Sequence, residues 1–319
     1  MNDDSGGRVS SSSPPEVSVG DKLRENLGLI GFWAYRYRSG GGVEHLVDAV
    51  EEHARIFEEK TGRDLHEGSM LEIGFGARPL RMMVLHGLGY DASGVDLETP
   101  IVDGGLSELV RVLRRHGLER ALKSTVRSLV FDRRERRLLA SRMAKLGAEP
   151  LLVPGRLIVR DASELDLAER SLDLIVSENV FEHIRPESLQ RLVPKMARWL
   201  KPDGLALIQP GVYTGITGNH LAQWYPHRVV ARKVTGRSEP WEHLRKRRFE
   251  ANTYLNKLTR AEYRELFSET FTIEEERVLL PDLGRELLTP AVAAELSEWS
   301  DDELFSNLVM FVMRPRQAR

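Results

Sequence analysis

The chain has no cysteine among its 319 residues. Disulfides, thiolate nucleophiles and cysteine-ligated zinc or iron-sulfur centres are therefore excluded. Long apolar runs are also missing. Stretches such as LIGFWAY (29–35) fall far short of the roughly 20 residues that a membrane helix needs. The opening MNDDSGGRVSSSSPPEVS lacks the positive start and apolar stretch of a secretory leader. It reads as a disordered tail over 1–20, so the expectation is a cytoplasmic protein with no membrane span. Charge of one sign does not dominate either, since 46 Lys and Arg face 48 Asp and Glu.

What is present is uneven. Residues 103–149 carry twelve Lys and Arg against six Asp and Glu, and residues 228–248 carry eight against two. Such patches attract acidic substrates, nucleic acid or an anionic surface, or form solvated helix faces balanced elsewhere. Leu46, Val47, Val50, Ala54 and Phe57 recur at helical spacing over 43–61, with Gly62 as the stop. Residues 21–66 are expected to form an N-terminal helical lid. From MLEIG onward, apolar strands alternate with helices: ASGVDLE, RLIVRD, LDLIVS, a helix over 186–200, LALIQP after the turn KPDG, then FTIEEERVLL and NLVMFVMR. Thr259 and Glu262 match a capping box.

This alternation predicts an α/β fold: a doubly wound, mostly parallel seven-stranded sheet with helices on both faces. A helical insertion (101–155) follows the second strand and a loop-rich cap (211–258) follows the fifth. The whole of 67–319 is read as one Rossmann-like domain.

The turn GFGARP sits between a strand and a helix. A dinucleotide fingerprint wants a third glycine where Pro79 stands, and a triphosphate loop wants Gly-Lys-Ser/Thr at the helix start. Neither is there. Glu72, just before the turn, suits an ammonium group better than a pyrophosphate. Asp96, at the end of the second strand, is placed for ribose hydroxyls. Together these favour a nucleoside bearing an amino acid.

The pattern Glu72-x-Gly74-x-Gly76, Asp96, Asp161-Ala162 before SELDL, and SLDLIVSENVFEHI followed by ARWLKPDGLALIQP resembles the class I S-adenosylmethionine-dependent methyltransferases. The resemblance covers residues 67–100 and 156–210. It implies S-adenosylmethionine as cofactor, held by Glu72, Gly74, Phe75, Gly76, Asp96, Leu97, Asp161, Ala162, Glu178 and Asn179. Arg78, where a third glycine is common, and the basic insertion depart from the pattern.

Methyl transfer to a small-molecule or sugar-containing acceptor is the expected function. A sulfonium methyl is already reactive, so the protein must align the acceptor and exclude water, with a base where the acceptor is a hydroxyl. His183, His220 and Tyr213 are the candidates, with Trp224 and His227 as further pocket residues. No metal is expected, because no histidine pair at i, i+4 and no carboxylate cluster beside the histidines is apparent. The alternatives are a nicotinamide-dependent oxidoreductase and a non-catalytic cofactor-binding module. Nucleic acid is disfavoured as acceptor, since SENVF lacks the proline-bracketed Asn or Asp of amino-methylating nucleic-acid enzymes.

Overall fold

The computed structural model describes residues 42–102, 132–153, 155–221, 224, 226–230, 239–246 and 253–316. The tail, most of the expected lid, residues 103–131 of the insertion and parts of the 211–258 stretch lie outside them.

Seven strands form one sheet: β1 (Ser69–Ile73), β2 (Asp91–Asp96), β3 (Leu157–Val159), β4 (Leu172–Glu178), β5 (Leu200–Gln209), β6 (Phe271–Val278) and β7 (Val309–Pro315). Their order is β3-β2-β1-β4-β5-β7-β6. The first five run parallel, and β7 runs antiparallel between β5 and β6. Successive strands are added in one direction up to β3 and in the other from β4, so the β1/β4 boundary opens a crevice at their carboxyl ends, where open α/β sheets bind ligands.

The central strands read as continuous apolar runs because both faces are covered. Within β4, Leu174 and Val176 pack on one face and Ile175 on the other; in β5, Leu205 and Leu207 alternate with Ala206 and Ile208. One face is covered by the helices Val43–Thr61, Leu80–Gly87 and Arg133–Ala144. The opposite face is covered by Pro186–Trp199 and Arg260–Ser268, with Phe267 meeting Phe181 and Phe311 edge-on.

Local signals act where expected. Gly62 ends the first described helix in the left-handed region (φ 69°) and donates to the Glu58 carbonyl. Thr259 and Glu262 form a reciprocal capping box. The turn expected at KPDG differs: Lys201–Gly204 bulges out within β5, since Leu172 pairs with Leu200 and Leu174 already with Leu205. Lys201 there donates to the buried Asp173, which also takes Arg63 and the Ser69 amide.

A third cluster joins Ile216, Leu221, Trp224 and Trp241 to Leu283, Val292, Leu296 and Phe305. The connection between β6 and β7 thus packs against the stretch that follows β5. Burial of two tryptophans explains why that stretch has apolar residues without a helical or strand period.

Candidate functional site

β1 ends at Ile73 and the chain turns through Gly74 and Gly76, at φ 91° and 70°. Only glycine adopts such values freely. At Gly74 there is a second constraint: a Cβ would stand 2.1 Å from Cγ2 of Val180, so the turn and the segment after β4 touch here. At Gly76 a Cβ would meet nothing within 4 Å, which leaves open space above the turn. The Gly76 amide donates to Asp96 Oδ2 (2.6 Å) and the Glu98 amide to Oδ1 (2.7 Å). Burial raises the Asp96 pKa, opposed by those amides. Leu97 beside it is 61% exposed, a large apolar side chain uncovered at the crevice.

Asp161 lies at the end of β3 and caps the short turn Ala162–Glu164, accepting from the Ser163 amide at 2.8 Å. Asn179 is exposed, at φ 54°, with its amide on the Gln209 carbonyl. Gly74, Gly76, Asp96, Leu97 and Asn179 therefore share one sheet edge. Phe75 differs, its side chain being buried in the core.

Glu72 meets a cation that sequence reasoning missed. Arg81, from the helix after the glycine turn, lies 3.5 Å from Glu72 Oε1 and 2.5 Å from Glu178 Oε2, and His53 Nε2 lies 3.1 Å from Glu178 Oε1. Burial pushes Glu72 up to about 7, with Arg81 opposing and Glu178 and Asp96 adding to the rise. Burial also disfavours ionised Glu178, but Arg81 and His53 outweigh it and hold the carboxyl at about 2. Glu178, expected at the cofactor, is engaged in this internal network instead. Arg78, at the third-glycine position, pairs with Asp132 at 2.6 Å and so ties the turn to the start of the helix Arg133–Ala144.

Across the crevice, the turn Phe181–His183 follows β4. His183 Nδ1 is 2.9 Å from the Tyr254 carbonyl, and its ring meets that of His220 at 4.8 Å, 66° apart. Burial, then His183, lowers His220 to about 4, so it is neutral near pH 7. Glu182 is buried; burial raises its pKa and the charge of His183 opposes the rise. Tyr213 is half-buried, and its carbonyl accepts from His243 Nε2. Tyr213 and Glu182 line one shallow pocket with Asn219, Asn256 and Lys257.

His183 and His220 are thus adjacent, and Tyr213 lines the same pocket as Glu182. Trp224 is a correction: it is packed in the third core rather than lining a pocket. The His227 side chain lies outside the described residues. One carboxylate does stand beside the histidines: Glu182, His183 and His220 bring ligand-type atoms within 4.8 Å of one another. Glu182 is legible in the sequence as the residue before His183, but its burial is not.

A family model described as a methyltransferase domain matches residues 128–208, from within the insertion to β5. No curated protein matches the chain. Among solved structures, the PH0226 protein of Pyrococcus horikoshii OT3 is 14% identical over 84% of this chain and 90% of its own, with a TM-score of 0.41. The 1,6-didemethyltoxoflavin-N1-methyltransferase of Burkholderia thailandensis is 12% identical over 98% and 99%, with a TM-score of 0.41. The geranyl diphosphate C-methyltransferase of Streptomyces coelicolor A3(2) is 12% identical over 84% and 80%, with a TM-score of 0.39.

Proposed function

We propose that this chain, which carries a methyltransferase domain and is an S-adenosylmethionine-dependent methyltransferase, acts on a small-molecule acceptor held between the β4 turn and Tyr213. The observation that carries this reading is one of convergence. The open glycine turn, Asp96 and the exposed Leu97 face one crevice; His183 stands on the segment that touches the turn through Val180, and His220, from the stretch after β5, packs its ring against that of His183.

The residues present fit the cofactor. The space above Gly76 admits a methionine moiety against backbone amides, Asp96 can hold ribose hydroxyls, and Leu97 with Asp161 and Ala162 offers an apolar and polar edge to adenine. When bound, S-adenosylmethionine supplies an electrophilic methyl group on a sulfonium. His220, neutral near pH 7, accepts a hydrogen bond or proton from an acceptor hydroxyl. Tyr213 lines the pocket beside Glu182.

Calorimetry with S-adenosylhomocysteine tests the reading. Micromolar binding is expected, weakened about 10- to 100-fold in Asp96→Asn, as loss of one charge-assisted hydrogen-bond acceptor costs about 1.5–3 kcal/mol. No binding at millimolar ligand by folded protein would sink it. Labelled methyl donor incubated with separated metabolite and macromolecule fractions should place the label in the metabolites; label in the macromolecules alone would overturn the small-acceptor reading.

A further inference from the structure

We propose that Glu182, His183 and His220 form a binding site for one divalent transition-metal ion of the kind zinc represents. The ligand-type atoms of these three residues lie within 4.8 Å of one another, with His183 Nε2 4.0 Å from Glu182 Oε1. A tetrahedral ion with bonds of about 2.1 Å sets its ligands about 3.4 Å apart, so side-chain rotations closing the gaps by about 1.5 Å or less complete the shell.

The carboxylate is the first independent argument. Glu182 is 2% exposed and neither of its oxygens has a hydrogen-bond partner. The Asn219 side-chain amide and the Gly211 amide stand close enough to lower its pKa by hydrogen bonding, but no bond of full geometry reaches either oxygen. It alone has both carboxylate oxygens in this state among the described residues. Other buried acids have cations: Asp173 has Arg63 and Lys201, and Glu178 has Arg81. Glu182 has only the 4.0 Å pairing with His183 to set against the cost of its burial, and a bound cation offsets that cost more fully.

The second argument is the orientation of His183. Its Nδ1 faces the Tyr254 carbonyl at 2.9 Å, and a carbonyl only accepts, so the proton of the neutral ring sits on Nδ1. Nε2 is then left with its lone pair and is the nitrogen near Glu182. A backbone carbonyl fixing the far ring nitrogen is the usual support of a metal-bound histidine.

Two imidazoles and one carboxylate suit zinc and its neighbours rather than magnesium or calcium, which prefer oxygen throughout. Three protein ligands leave a fourth position open. Glu182 lines the pocket with Tyr213, and Val180, two residues earlier, abuts the glycine turn. An ion here sits between donor turn and acceptor pocket, where it would take an acceptor oxygen and ease loss of its proton in place of His220, whose lone pair the ion would occupy. That use, and the oxygen-bearing acceptor it implies, rests on the methyl-transfer reading; the ion site does not.

The test uses the full chain, stripped with a chelator and dialysed. Cobalt(II) is titrated by visible absorbance and zinc by calorimetry, with circular dichroism and S-adenosylhomocysteine binding followed in parallel. One ion per chain at micromolar affinity or tighter is expected, with the absorption of a tetrahedral cobalt centre. Glu182→Gln and His220→Ala should each weaken binding at least about 100-fold while remaining folded. Absence of the cobalt signal in folded wild type, or wild-type affinity in the two variants, overturns the site. Ion binding without S-adenosylhomocysteine binding supports the site and removes only its link to methyl transfer.

Discussion

The two sides of the crevice treat buried charge in opposite ways. On the donor side, Glu72 and Glu178 share Arg81, and His53 closes the set. Across from it, just past the end of the same strand, neither oxygen of Glu182 has a full hydrogen bond, and its neighbours are two histidines and the Asn219 amide. A carboxylate neutralised from within holds secondary structure together: here Arg81 links its own helix to β1 and β4, and His53 links the first described helix to β4. A carboxylate left open within a lined pocket is instead available to something that arrives from outside. The difference separates scaffold from site more sharply than residue type does, since both sides are made of acids and histidines.

Removing the shared cation is the strongest way to break the comparison. Arg81→Met leaves two buried carboxyls facing each other and should cost about 3–5 kcal/mol in urea unfolding, the range for breaking a buried ion pair. A loss below about 1 kcal/mol would show that the network contributes little. Next in size is a pH effect. Because the folded pKa of Glu72 is raised from the ordinary 4.5 to about 7, its contribution is fully present below about 4.5 and lost as pH climbs through 7. At roughly 1.4 kcal/mol per pH unit this amounts to about 3 kcal/mol. Glu72→Gln, which cannot ionise, should gain about that much on wild type between pH 4.5 and 8.5, measured by denaturant midpoints. Glu178 has the opposite sign. Its pKa is lowered to about 2, so its stabilisation is present above 4.5 and fades only as pH falls toward 2.

The scaffold is largely legible in the sequence, and the charges are not. Strands wrapped on both faces announce themselves as apolar runs such as LDLIVS, and a capping box such as Thr259 with Glu262 is contained in four residues. The glycine turn and Asp96 are readable because a positive φ leaves glycine as its mark and the acid follows at a fixed distance. Arg81, however, finds Glu178 97 residues away, and nothing local distinguishes it from a solvated helix arginine. Lys201–Gly204 reads as a turn because Pro-Asp-Gly serves a bulge as well as a hairpin. Trp224 reads as a pocket wall since an aromatic in an aperiodic stretch carries no sign of whether its neighbours close over it; the connection between β6 and β7 does. The Glu182, His183 and His220 cluster forms only when the chain returns from a distant segment, which spacing cannot reveal.

One substitution made on each side should give opposite signs, and this sharpens the comparison furthest although its effects are smallest. Glu178→Gln removes the better-paired partner of Arg81 and is expected to cost about 2 kcal/mol, less than Arg81→Met because Glu72 can ionise in its place. Glu182→Gln removes a buried carboxyl paired only with His183 at 4.0 Å, keeps the shape, and adds a neutral amide. In chelator-treated protein at pH 8 it should raise stability by about 1 kcal/mol, since relief of an uncompensated group outweighs the lost charge. Zinc should then invert the ranking: an ion at one hundred times its dissociation constant adds about 2.7 kcal/mol to wild type, whereas Glu182→Gln gains little. Thermal melts of the two proteins with and without zinc read all four states. If both substitutions destabilise equally and zinc shifts neither, Glu182 belongs to the scaffold like Glu178, and the contrast between the two sides of the crevice disappears.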